Sequence, residues 1–275
     1  MAFNDREISP ENGQPVALYT IQWGNTFWRY TSADRDMPRV ENGADVLYEA
    51  VAISDNGMVQ GGSSSNDFTV DCPTNLPIVQ LYRGTPPSET IWLTVRRMHF
   101  GDMDAPIYWT GTVTNVKRLR GLSDAQILGA PLTASFKRTG LRLCWTRECP
   151  HFLYDSGCRA DPQAFELETV TTERTGNTIT LADNGGHPDG WFKGGFIAWE
   201  ADDNGTLERR MIEQHVGPVL TIFGLTDRLS IGQTVFVYPG CDRTPGTCRD
   251  KFDNLPNYGG FDFMPGVSPF GTQIF

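Results

Sequence analysis

The 275-residue chain is expected to be mainly β, folded as two β-rich domains, and three features of its sequence predict this. Short runs rich in Val, Ile, Thr, Tyr, Phe and Trp recur from end to end, and these side chains suit a pleated, half-buried surface. Turn residues separate the runs: 29 Gly and 18 Pro follow no period, which speaks for loops rather than collagen or a low-complexity tract. Finally, 39% apolar residues, with seven Trp and sixteen Phe, argue against disorder in a chain long enough for one large or two medium domains. The expected division is residues 1–130 and 131–275, the second domain being a small barrel-like or antiparallel unit that carries a four-cysteine metal site and ends in an irregular arm.

Taken in order, "VALYTIQW" (16–23) and "FWRYT" (27–31) read as a hairpin around the three residues Gly24-Asn25-Thr26. "ADVLYEAVAI" (44–53) is a strand ended by the turn signal Ser54-Asp55-Asn56-Gly57, and "QGGSSSND" (60–67) is a loop. "PIVQLYRG" (77–84), "TIWLTVRRMHF" (90–100) and "PIYWTGTVTNVKRLR" (106–120) read as further strands, whereas "LSDAQILG" (122–129) predicts a short helix starting at Ser123. In the second half, "LTASFKRTGLRLCW" (132–145) leads into the first cysteine pair. "PQAFELETVTTE", "NTITLAD", "HPDGWFKGGFIAWE", "GTLERRMIEQHVGPVLTIFG" and "GQTVFVY" then supply short strands between turns. A closed barrel or compact antiparallel sheet would protect their edges. The double glycine Gly194-Gly195, set between aromatic residues, predicts a bulge or a close backbone approach. Residues 256–275, punctuated by Gly and Pro, are expected to be an irregular arm packed on its own domain or on a neighbour.

Acidic residues outnumber basic ones 33 to 23, for a net charge of −10. No basic tract interleaved with aromatics marks a nucleic-acid surface. The clusters "VRRM" (95–98), "VKRLR" (116–120) and "ERRM" (208–211) read as solvated strand faces or partner-facing charge. The polar opening "MAFNDREISPENGQ" is no secretory leader, and no stretch approaches 18 apolar residues. The expectation is a soluble chain made in the cytoplasm, where lasting disulfides are uncommon. Catalytic motifs are missing: there is no G-x-S-x-G elbow, H-E-x-x-H helix or phosphate-binding loop. His99, His151, His187 and His215 share no spacing, and Glu200, Asp202 and Asp203 read as a solvent-facing acidic turn. The protein is therefore not expected to be an enzyme.

Cysteines carry the clearest chemistry. Cys149 and Cys158 lie nine apart in "ECPHFLYDSGCRAD", and Cys241 and Cys248 lie seven apart in "GCDRTPGTCRDKF". Four converging thiolates suit zinc or an iron–sulfur cluster. The wide spacing matches neither a zinc knuckle nor a compact ferredoxin run. Pairwise disulfides and idle thiols are the competing readings. Cys72 and Cys144 read as small buried hydrophobes, although Cys144 is near enough to Cys149 to compete as a ligand. His151 reads as a surface or locally bonded histidine. A site shared by the two pairs would close a loop of 83 residues, from Cys158 to Cys241. In the chain-entropy picture such a crosslink is worth about 4–5 kcal/mol.

"CPHFLYDSGCRADPQAF" (149–165), "GWFKGGFIAWE" (190–200) and "YPGCDRTPGTCRDKFDNLPNYGGFDFMPG" (238–266), in that order, resemble a family of phage tail-tip proteins. These occur in tailed bacteriophages and gene transfer agents and are related to the minor tail protein L of lambda-like phages. The resemblance implies a virion component in the tail tip, or baseplate, between the distal tail protein and the central hub or fibre-bearing protein. It implies a [4Fe–4S] cluster on Cys149, Cys158, Cys241 and Cys248, with zinc as the alternative, and a homotrimer within a hetero-oligomer. "NYGGF" (257–261) departs from the Asn-Phe-Arg-Gly-Phe common in relatives, which removes a basic contact. Two readings from other classes stand beside it: a receptor- or carbohydrate-binding module, suggested by the many Trp and Tyr, and a cluster-dependent redox enzyme.

Overall fold

The computed structural model describes residues 7–8, 13–41, 43–58, 68–102, 104–119, 123–137, 140 and 144–265. The chain forms two compact units: residues 1–138 with 201–208, and residues 139–200 with 209–275.

The first unit is built on a nine-stranded sheet. Its strands are β1 (Pro15–Trp23), β2 (Thr26–Thr31), β3 (Met37–Glu41), β4 (Ala44–Ala50), β5 (Ser54–Asp55), β6 (Phe68–Pro73), β7 (Ile91–His99), β8 (Ile107–Arg118) and β9 (Asp124–Pro131). They are ordered β3-β4-β2-β1-β7-β8-β9-β6-β5. β1 lies inside the sheet, and its sequence shows why. Ala17, Tyr19, Ile21 and Trp23 enter one core with Ile91, Leu93 and Val95 of β7, while Val16 and Leu18 enter a second with Tyr48 and Met98. A strand with apolar residues on both faces is stable only where both faces are covered. Asp55 is held within this unit by Arg97, at 2.6 and 2.8 Å, and by the Tyr19 hydroxyl at 2.6 Å.

The second unit is a closed barrel. Strands β10 (Leu167–Thr175), β11 (Thr178–Leu181), β12 (Phe196–Glu200), β13 (Leu207–Val216), β14 (Val219–Ile222) and β15 (Thr234–Tyr238) close in the order β10-β11-β14-β13-β12-β15. Alternate residues such as Ile179, Ile197, Trp199, Ile212, Leu220, Val235 and Val237 fill the interior. Register shifts near Thr171 and Ile212 bend β10 and β13 as closure requires. Closure removes the sheet edges, and of the two expected arrangements, barrel or compact antiparallel sheet, the barrel is the observed one.

Several local expectations are corrected. The first hairpin turns on two residues, since Trp23 pairs with Thr26 and Gly24 takes a φ of 55°, the left-handed twist that a tight hairpin needs. "PIVQLYRG" is no strand: it opens with a short helix, α1 (Pro77–Leu81), with proline pre-set for the first turn. The expected helix at Ser123 is β9, where Ala125 and Ile127 are buried and Gln126 and Leu128 half-buried. Pairing with both β6 and β8 overrides a weak helical preference. The "QGGSSSND" loop and residues 266–275 of the arm lie outside the described residues.

The acidic turn is not merely solvated. It falls in the segment 201–208 of the first unit, where Asp202 accepts from Asn204 N at 3.2 Å, Thr206 N at 2.8 Å, Thr206 Oγ1 at 2.9 Å and Thr26 Oγ1 at 2.5 Å. Burial would raise its carboxyl, but these hydrogen bonds outweigh that and hold it below the usual range.

Candidate metal centre

The second unit carries a helix beyond the barrel, α2 (Pro245–Asp250), which holds Cys248, and long irregular stretches that hold Cys149, Cys158 and Cys241. Cys241 follows β15 by three residues, and Cys248 is a buried member of α2. Thr244 caps α2 by accepting from Thr247 N, and Asp242 in turn receives the Thr244 hydroxyl at 2.8 Å, so "GCDRTPGTC" is a wound cap rather than a loose turn. Across the site, Asp155 accepts from Phe152 N at 3.1 Å, Gly157 N at 2.8 Å and Cys158 N at 2.6 Å, which fixes the loop between Cys149 and Cys158. Burial works against the Asp155 charge, yet these backbone donors hold its carboxyl below the usual range. Cys149 N donates to Arg243 O at 3.1 Å and joins the two cysteine segments directly.

Two close approaches shape the surroundings. A Cβ on Gly195 would collide with Tyr238 O, and one on Gly240 with Lys193 O, so the "KGGF" and "YPGC" backbones touch where only glycine fits. The predicted close approach is therefore real, and it sets the position of Cys241. The His151 ring sits between Gly157 and Gly259, where a Cβ at either position would strike it. It is thus a wedge on the wall of the site rather than a free surface histidine. Tyr154, Arg159, Arg243 and Asp253 are the non-glycine residues with positive φ among those described, and all four flank the cysteines. Such backbone strain is retained where the surrounding structure over-determines it, and it is common at functional sites.

Cys149, Cys158, Cys241 and Cys248 line one cavity of about 260 Å³, together with His151, Arg243 and Asn254. All six cysteines are free thiols, so the disulfide reading is not realised. Burial pushes Cys248 up to about 11, and charge on Cys241, Cys149 and Cys158 would push it the same way. Cys241 is also raised, first by burial, despite the 3.3 Å hydrogen bond from Arg243 N to its sulfur. Three half-buried thiols and the buried Cys248 form a soft donor set that a thiophilic cation would stabilise. Among the described residues no three His, Cys, Asp or Glu side chains are arranged to hold a metal ion as they stand. All four cysteines are nevertheless among the residues that line the one cavity. In donor type the set suits a thiophilic metal ion or an iron–sulfur cluster.

The other sequence candidates fall away from this cavity. Cys72 is buried in the first unit, as expected, with its thiol pushed up to about 12 by burial and by Asp71 and Asp124. Cys144 is exposed, which corrects the expectation of a buried hydrophobe, and it does not line the cavity. His187 stacks on Trp191, and His215 is enclosed in the barrel at 3% exposure with no hydrogen bond to either ring nitrogen. Sequence reasoning gave Asn254 no role, although it closes the "TCRDKFDN" run (247–254).

Comparison with known proteins places these features in context. Residues 190–267 match a family model described as phage conserved hypothetical protein BR0599, a span that holds Gly195, Cys241, Cys248 and Asn254 but under a third of the chain. No curated protein matches the chain. A chain from the structure titled "Virion of native gene transfer agent (GTA) particle" is similar in fold, with a TM-score of 0.78 and 19% identity over 99% of this chain and 95% of that one.

Proposed function

We propose that this protein is a structural component of the virion of a tailed phage or gene transfer agent, seated at the tail tip between the distal tail and the central hub. In this reading Cys149, Cys158, Cys241 and Cys248 hold a [4Fe–4S] cluster that staples the second unit, and the protein is a homotrimer within a hetero-oligomer. The observation that carries the reading is the convergence of two cysteine pairs, 83 residues apart in sequence, on one cavity. The fold shared with a virion chain and the phage family model over residues 190–267 support the setting.

A cluster is preferred to zinc because the cysteines of each pair lie nine and seven residues apart, wider than a zinc knuckle, and the irons of a cluster sit farther apart than a single ion whose four sulfurs lie about 2.3 Å from one centre. When bound, the group would supply a crosslink between distant segments, and its binding free energy would add to folding. The chain's own residues prepare for it: Asp155 and the Asp242–Thr244 cap fix the cysteine loops, and Gly195 and Gly240 admit the backbone to close range.

Anaerobic purification of the full chain, with iron, acid-labile sulfide and zinc quantified beside a visible spectrum, tests the proposal. About four irons and four sulfides per chain are expected. Stoichiometric zinc would replace the cluster by the alternative, and a metal-free protein would end the four-cysteine reading. Electron microscopy of the assembled particle tests the tail-tip place and the trimer.

A further inference from the structure

Asn254 is 8% exposed, beside the cysteine cavity, and every polar group it carries is engaged there. Its Nδ2 donates to Cys158 O at 2.5 Å and faces Cys158 Sγ at 3.6 Å. The backbone N of Asn254 donates to Cys248 O at 2.9 Å, and its carbonyl accepts from the Cys248 thiol at 3.3 Å. The side-chain orientation follows from its neighbours: Oδ1 accepts from Asn257 Nδ2 at 2.6 Å, which leaves Nδ2 aimed at Cys158. Asp253, at φ 47°, turns the chain out of α2 and presents Asn254 to the cavity. One residue therefore touches a cysteine from each pair, although 96 positions separate it from Cys158.

We infer that Asn254 is the positioning residue of the four-cysteine site, holding Cys158 and Cys248 at a set separation and donating an N–H to the Cys158 sulfur. The inference rests on the proposed four-cysteine metal site. Ligation removes the Cys248 proton, and the contact between that sulfur and the Asn254 carbonyl then loses its attraction. The N–H donors persist, and an N–H aimed at a thiolate becomes stronger as the sulfur gains charge. Gly259 N, 3.4 Å from Cys149 Sγ, and Arg243 N, 3.3 Å from Cys241 Sγ, serve the other two segments from the backbone. Among the described residues Asn254 is the side chain that does so, and hence the one a substitution can remove. Groups of this kind orient ligands and tune the metal they hold.

The test uses the full chain as wild type, Asn254→Asp and Asn254→Ala, each checked for folding by circular dichroism. Asn254→Asp keeps the shape but removes the donor and adds charge, and Asn254→Ala removes the donor without charge. After anaerobic reconstitution with ferrous iron and sulfide, both variants are expected to lose iron to a chelator about 10-fold or more faster than wild type, with a shifted midpoint potential. In metal-free protein, alkylation mapped by mass spectrometry is expected to speed up at Cys158 and Cys248 and to stay unchanged at Cys149 and Cys241. Wild-type rates of iron loss and alkylation in Asn254→Asp would overturn the inference, as would equal acceleration at all four cysteines. If wild type binds no iron, the metal reading fails by itself, and the alkylation pattern still decides whether Asn254 positions the two thiols. If one variant does not fold, the other gives the same two readouts.

Discussion

The six cysteines divide by environment, not by type. Four share a cavity with strained backbone around it, one is buried in the sheet unit and one faces solvent. Their substitutions should therefore separate. In protein carrying the proposed metal, Cys149→Ser or Cys241→Ser is expected to lower the stability of the second unit by about 3–5 kcal/mol, the scale of a crosslink across so long a loop. Cys144→Ser should stay within about 0.5 kcal/mol, because its side chain is exposed. Thermal melts of the three variants check this, and equal melting points would sink the staple. Cys72→Ser is a poorer control than Cys144→Ser, since a hydroxyl at 2% exposure would need a partner.

Among the elements, the barrel carries a second titratable feature. His215 lies on β13 against Phe192, with Asp189, His187 and Lys251 as its charged or titratable neighbours, and burial holds it below its ordinary value. A histidine kept neutral by the fold binds a proton more readily once unfolded. The barrel should lose stability as pH falls below about 6.5, down to the lower folded value. His215→Leu should flatten that slope, which denaturant titrations at several pH values would show. An unchanged slope would place the sensitivity elsewhere. The glycine contact between "KGGF" and "YPGC" makes a separate prediction. Gly240→Ala drives a Cβ into the Lys193 carbonyl and is expected to cost about 2–4 kcal/mol. It should also impair metal retention by moving Cys241, measurable as iron per chain. Gly246→Ala, where a Cβ finds only a 4.0 Å contact with Thr244, is the matched control.

For the molecule as a whole, the two units have separate cores, and only the second contains the four-cysteine cavity. Removing the proposed metal by oxidation and chelation should therefore lower the melting transition of the second unit and leave that of the first within about 2 °C, on the view that each core unfolds as its own cooperative unit. Calorimetry with limited proteolysis would assign the transitions. An equal shift in both would contradict a staple confined to one unit.

Much of this was legible from residue order, since the period-two alternation in "TIQW" (20–23) and "TVFVY" (234–238) records burial on a pleated surface. "PIVQLYRG" and "LSDAQILG" were misread because a short apolar run fits either period, and partners elsewhere in the chain choose between them. The sequence by itself determined the β character, the barrel-like second half, the glycine approach and the candidacy of Cys149, Cys158, Cys241 and Cys248, because periodicity and residue chemistry are local properties. Only the tertiary structure decided that the two cysteine pairs share one cavity, that Cys144 stands apart, that His151 is a wedge and that Asn254 joins the pairs. Those facts depend on which distant backbones are brought together, and no local pattern encodes a distance across 83 residues of folded chain.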